Sequence, residues 1–336
     1  MIFAIRADAG VVQGTGHVMR CLSLAERLLQ RGHRVGLFTN SSEIPWLESA
    51  IEKSGVEIFR VAADELDAAQ FAELKPNWLI VDSYRILASE ISSTNRVIPV
   101  LAIVDGNTRG IEATAYLDTN LFSEKLDWPD EIVPRLLAGS SYALVRDEVL
   151  ATRREKPAEI VNNPPKILVF LGGSDPYGYS PLIARALAMV ETDFQATLIA
   201  PATVQPLVLD ALESSRGRVE VISPTPKLAS YYRNVDVVIS AAGTSAWDVC
   251  TLGIPALLLA VVDNQEFSVA QISEHRLTLT NNLAGADDSK AHELAEQVHQ
   301  LLTNQNLREE LSKNALSYFD GLGRDRVEAF LTGKTS

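Results

Sequence analysis

A histidine follows two closely spaced glycines in "GTGHVMRCLSLAERLL", residues 14–29, directly behind the apolar run "MIFAIRAD". Glycine permits a tight strand-to-helix reversal and the close approach of a ligand, so Gly14 and Gly16 mark a turn that opens a helix at His17. The free N–H groups and positive dipole of a helix end disfavour a protonated ring there. An uncharged imidazole in that place can work as a general base, and otherwise it is a backbone-bonded cap. Asp8, at the end of the preceding strand, either orients the ring or orders the loop.

Two further glycine turns have the same form. "FLGGSDP" (170–176) brings the backbone N–H groups of Gly172 and Gly173 and the hydroxyl of Ser174 to a diphosphate, or is a plain turn. "DVVISAAGTSAWDVCTLGIP" is a strand running into Gly243, Thr244 and Ser245, which start a helix and so form an anion site. Asp248, one turn in, either accepts from two ribose hydroxyls or places favourable charge at the helix start. "DNQ" closes the next strand with the amides of Asn264 and Gln265, which suit a sugar or phosphate. This spacing is that of a sugar-nucleotide donor pocket in a GT-B architecture. "GTGH" lacks the third glycine of a dinucleotide fingerprint, and "LFTNSSE" offers no ribose-binding acid at its strand end, so NAD is not expected. No cofactor is expected, and no metal-ligand spacing is visible.

These turns need strands to carry them. Apolar, β-branched runs alternate with amphipathic segments, which predicts parallel sheets with helices on both faces. Strands are expected at 2–8 and 33–39, in "NWLIVDSY", "VIPVLAIVD" and "AYLDTNL", and a helix over 17–31. A charged, proline-rich linker, "ATRREKPAEIVNNPPK" (151–166), precedes a second α/β series beginning at "KILVFLGGSD". The expected architecture is α/β with two Rossmann-like domains facing a central cleft: 1–150 with the base and the sugar, 151–336 with the nucleotide diphosphate.

Length and composition agree with two soluble domains: 336 residues, 46% hydrophobic, 22% charged. A net charge of −13 argues against a nucleic-acid partner. Cys21 and Cys250 fall in apolar helical patterns and read as core thiols. The first residues lack a basic leader region, and no apolar run reaches the ~18 residues of a membrane span, so a cytoplasmic protein without stable membrane insertion is expected, acting as a monomer.

The motif set resembles the UDP-2,4-diacetamido-2,4,6-trideoxy-β-L-altropyranose hydrolases of the pseudaminic acid pathway, GT-B relatives of the glycosyltransferase that adds GlcNAc to lipid II precursors. The likeness rests on "GTGHVMRCLSLA", "LIVDSY", "GSSYALVRDEV", "LGGSDP", "AGTSAWDVCTLGIP", "DNQ" and "FDGLGRDRV", and covers most of the chain. It implies UDP held mainly by the second domain and the sugar facing the first, with Arg20, Asp82 and Tyr84 among the binding residues and His17 as the base that activates water. Attack at the anomeric carbon would release UDP with inversion. Several positions depart from the family pattern. Asp248 stands for a usual Glu and Ser83 for a common His, Val145 takes the Leu place, and "AIVDGNTRG" (102–110) and "DTN" (118–120) differ. These changes cluster where the sugar should sit and leave its identity open. Against hydrolysis stand a glycosyltransferase with a non-water acceptor and a non-catalytic sugar-nucleotide sensor. An exposed apolar or basic patch would mark the transferase, and indifference to loss of His17 the sensor.

Overall fold

The computed structural model describes residues 1–10, 14–41, 44–62, 64–66, 68–71, 73–173, 175, 177–213, 215, 218–262 and 265–334. The chain divides into two units: Met1–Arg146 with Gly321–Ser336, and Asp147–Asp320.

In the first unit the strands are β1 (Ile2–Ala7), β2 (Arg34–Thr39), β3 (Glu57–Arg60), β4 (Trp78–Asp82), β5 (Val100–Ile103), β6 (Ala115–Asp118) and β7 (Leu136–Ala138). They form one parallel sheet in the order β3-β2-β1-β4-β5-β6-β7. Both faces are covered. Phe3 and Ile5 of β1 pack with Leu24 and Leu28, while Ala4 between them packs on the opposite face with Phe38 and Leu79. Alternate strand residues point to opposite faces, so burial of both requires the near-continuous apolar strands seen in the sequence.

Helix α1 (Gly16–Gln30) buries Val18, Cys21, Leu22, Leu24, Ala25 and Leu28, the stripe of a 3.6-residue period. Each fully buried Leu or Val contributes roughly 1.5–3 kcal/mol. Gly32, at φ 79°, ends it in the left-handed conformation that glycine adopts without penalty. The winding direction reverses between β1 and β4, where Ala7 pairs in register with Asp82. Ligands bind at such switch points in open α/β sheets, outside the carboxyl ends of the strands.

The last residues join the first unit, a correction to the expected 151–336 domain. The terminal helix Gly323–Thr332 buries Val327 and Leu331 in the same core as Val18 and Leu28. Arg324 donates to Ser23 O and pairs with Glu26 at 2.8 Å, and Arg326 donates to Ser141 O. "GRDRV" therefore places its cations and apolar residues for docking on α1.

The second unit has β8 (Lys166–Phe170), β9 (Gln195–Ile199), β10 (Val219–Ile222), β11 (Val237–Ala241), β12 (Ala256–Ala260) and β13 (Leu279–Asn282), parallel in the order β10-β9-β8-β11-β12-β13. Its switch point lies between β8 and β11, with Phe170 paired to Ser240. The core gathers Val169, Ile239 and Leu257 with Leu187, Leu294 and Leu301 of the covering helices. The expected 151–166 linker is largely irregular backbone before β8.

Candidate active site at the first-unit switch point

His17 is the second residue of α1, beside the carboxyl ends of β1 and β4. Its Nδ1 lies 2.6 Å from Asp82 Oδ1. A carboxylate only accepts, so Nδ1 carries a proton, and in the neutral ring the lone pair is then on Nε2. The imidazole is mostly buried, its side chain 13% exposed.

Arg20 lies one turn along α1 and reaches the same carboxylate. Its Nε donates to Asp82 Oδ2 at 2.5 Å and its Nη2 to Oδ1 at 2.7 Å, a bidentate pair. The Cys21 thiol approaches Oδ2 from below at 3.7 Å. Burial alone would raise the Asp82 carboxyl, but the neighbouring Arg20 guanidinium and His17 ring outweigh it and hold the carboxyl far below the usual carboxylate range. Asp82 is thus a fixed anion at any working pH. It is 1% exposed and turned inward onto His17 and Arg20.

The network continues outward. Arg20 Nη1 is 3.6 Å from Asp105 Oδ1, at the residue after Val104 beyond β5. The Tyr84 hydroxyl donates to Asp105 Oδ2, and the Tyr84 ring meets His17 edge-on, centroids 5.2 Å apart at 77°. Contacts thus close a circle through His17, Asp82, Arg20, Asp105 and Tyr84. Asn120 Nδ2 bridges Asp105 Oδ1 and Asp118 Oδ1, each at 2.9 Å. Burial raises the Asp105 carboxyl less than Arg20, Tyr84 and Asn120 lower it, so it is held low. Burial pushes Asp118 up to about 6, against the N–H groups of Gly106 and Asn120 that favour its ionised form. The resemblance placed the segments 102–110 and 118–120 near the sugar, but sequence reasoning did not single out Asp105, Asp118 and Asn120. The available signal was that "VIPVLAIVD" and "AYLDTN" both carry an aspartate where an apolar strand ends.

Asp8 makes its hydrogen bonds elsewhere than the imidazole. Its Oδ1 accepts from Arg6 Nη1 at 2.5 Å and from Asn40 N at 2.8 Å. Arg6 lies fully buried in β1 and also donates to Phe38 O, Ala62 O and Glu65 O, so Asp8 neutralises a structural cation. The carboxylate in contact with the ring is that of Asp82. Gly14, at φ 80°, closes a bridge with Gly10, and Gly16 begins α1.

In the second unit, Gly172 (φ 82°) and Gly173 follow β8, while Ser174 and Asn264 lie outside the described residues. Asp175 accepts from Tyr179 N and Ser180 N at the start of the helix Ser180–Met189. Gly243 and Thr244 lead into the helix Ser245–Leu252, with half-buried Asp248 in its first turn. Gln265 Oε1 accepts from Val261 N, which holds the side chain beside Gly243. Cys21 and Cys250 are both buried free thiols. Among the described residues no group of three His, Cys, Asp or Glu is placed to hold a metal ion. No helix among them is long and apolar enough to cross a membrane.

Residues 167–323 match the Glycosyltransferase family 28 C-terminal domain. Over 98% of both chains, the protein is 24% identical to the spore coat polysaccharide biosynthesis protein SpsG of Bacillus subtilis. It is 23% identical over 77% of its length to the uncharacterized protein MJ1062 of Methanocaldococcus jannaschii, and spans about half (55%) of that relative. Among solved structures, MurG of Acinetobacter baumannii superposes with a TM-score of 0.69 at 15% identity, covering 99% of this chain and 100% of the other. The UDP-GlcNAc 2-epimerase of Neisseria meningitidis, bound to UDP-GlcNAc, gives 0.67 at 12% identity, covering 99% and 100%. The chain has the GT-B fold, two parallel-sheet α/β domains, and carries in its second half a match to the glycosyltransferase family 28 C-terminal domain.

Proposed function

We propose that the protein hydrolyses a nucleotide-diphospho-sugar, with His17 as general base. The observation that carries this reading is the His17–Asp82 pair at the first-unit switch point, with Nδ1 held by the carboxylate at 2.6 Å. That arrangement leaves Nε2 as the basic nitrogen. Water adds its oxygen to the anomeric carbon while the bond from that carbon to the diphosphate oxygen breaks. The electron pair leaves on the diphosphate, and the proton of water passes to Nε2. The diphosphate is already a fair leaving group, so the protein has mainly to place the water and offset developing charge.

In this reading the first unit supplies the base. The N–H groups around Gly172, Gly173, Gly243, Thr244 and Ser245 take the diphosphate, and Asp248 takes the ribose. The match to a glycosyltransferase C-terminal domain and the UDP-GlcNAc bound by a structural neighbour support the nucleotide-sugar class. Within it, the motif resemblance favours a UDP-linked diacetamido-trideoxy sugar. The same family match favours a second reading, a glycosyltransferase using the same donor and an acceptor other than water.

One assay separates them. The protein is incubated with a panel of nucleotide-diphospho-sugars in ¹⁸O-water and followed by ¹H and ³¹P NMR and mass spectrometry. Hydrolysis at carbon predicts free sugar carrying ¹⁸O, inverted at C1, and unlabelled nucleoside diphosphate. Release only after an acceptor is added would replace hydrolysis by transfer.

A further inference from the structure

We infer that Arg109 is a positioning residue for the His17 base and acts through Tyr84. The inference rests on the reading of His17 as general base. Tyr84 is 45% exposed, yet its ring meets the imidazole nearly at right angles, centroids 5.2 Å apart. A ring so open to solvent keeps one orientation only where something restrains it. Two restraints are present. The hydroxyl is tied to Asp105, and the Arg109 guanidinium lies over the ring face, 4.6 Å from its centroid. A guanidinium stacked on an aromatic face is attracted by the ring quadrupole, and the planar group limits the tilt of the ring.

The backbone around Arg109 is built for this placement. Arg109 sits at φ 52°, in the left-handed region that non-glycine residues rarely occupy, between Gly106 at φ 77° and Gly110 at φ 75°. Asn107 Oδ1 accepts from Arg109 N, and Ile111 N donates to Thr108 O, which locks the turn. Arg109 Nη2 donates to Ser83 O, the residue before Tyr84, so the side chain is pinned to the strand end it serves. Its Nε is buried without a hydrogen-bond partner among the described residues. A guanidinium serving as a hydrogen-bonding plug would use that donor, whereas one serving as a stacking plate need not. The turn therefore spends an unfavourable backbone conformation and an unmet donor on holding a cation over Tyr84.

With Tyr84 fixed, its ring bounds the imidazole on one side while Asp82 holds Nδ1 on another. The base nitrogen is then aimed without any contact between Arg109 and substrate.

The test uses full-length protein with isotope-labelled histidine and the variants Arg109→Met, Arg109→Lys and Tyr84→Leu. Ring-proton signals of His17, assigned with His17→Asn, report the Tyr84 ring current in the absence of any substrate. Arg109→Met is expected to move them toward their positions in Tyr84→Leu, and Arg109→Lys, which keeps charge but not the plate, part of the way. In turnover, kcat is expected to fall roughly 10-fold or more in Arg109→Met, as for a misaligned catalytic group, with KM for the nucleotide sugar unchanged. His17 signals at wild-type positions in folded Arg109→Met or Arg109→Lys would overturn the inference, and so would a raised KM at constant kcat. If the wild type turns over no nucleotide sugar, the functional reading fails, while the His17 spectra still decide the positioning.

Discussion

His17 Nδ1 and Asp82 Oδ1 stand 2.6 Å apart although 65 positions separate them in the chain. Asp82 is shared with Arg20, so one buried anion both fixes a tautomer and neutralises a guanidinium. Replacing His17 by Asn should lower turnover ~10²–10⁴-fold, the usual contribution of a general base, with UDP affinity near normal. Asp82→Asn should lower turnover comparably and also destabilise the fold by about 3 kcal/mol, since Arg20 loses its bidentate partner and keeps only the more distant Asp105 as counter-charge. Steady-state kinetics, UDP titration calorimetry and urea melts read the three quantities. An active His17→Asn would remove the base from the mechanism.

Asp8 is expected to behave oppositely. It pairs with buried Arg6 rather than with the imidazole, so Asp8→Asn should reduce stability by about 3–5 kcal/mol. The pH profile of kcat in the folded fraction should stay where it is. A shifted profile at unchanged stability would return Asp8 to the catalytic group.

Asp118 gives a pH dependence with a definite sign. Burial raises its folded-state carboxyl to about 6, above the ordinary aspartate range, so folding favours the protonated form. Its contribution to stability is full below pH ~4 and is lost as pH rises through about 6, a change of order 3 kcal/mol by linkage. Asp118→Asn should flatten this part of the stability curve in urea melts between pH 4 and 7. A variant curve with the wild-type slope would mean another group is responsible.

Asp248→Ala should weaken UDP binding about 10–100-fold, the range for a hydrogen bond to a charged group, with a smaller effect on the chemical step. Calorimetry with UDP and single-turnover kinetics separate the two. Unchanged affinity would take Asp248 out of the ribose site.

Gly323 tests the docking of the terminal helix. A methyl group at this position would overlap the Ala143 carbonyl and the Tyr142 backbone, neither of which is the free end of a side chain. Gly323→Ala should cost about 1–3 kcal/mol or more and expose the last residues to limited proteolysis. A wild-type melting temperature and protease pattern would refute this packing.

Local patterns in the sequence determined much of this protein. Continuous apolar runs specified strands buried on both faces, the 3.6-residue stripe specified α1, and glycine placement specified the turn that puts His17 at a helix mouth. Alternation of strands and helices specified parallel sheets. All of these depend on residues within one or two turns of each other. Strand order does not, and it is strand order that decides which carboxylate meets His17. Asp8 is close to His17 in sequence but turns toward Arg6, whereas the β1–β4 register carries Asp82 to the ring. The same holds for Asp105 and Asn120, delivered by neighbouring strands, and for the terminal helix, whose Arg324 finds its partners 298 and 301 positions back along the chain. Periodicity reports which face of an element is buried; only the assembled sheet and its core determine what that face is buried against.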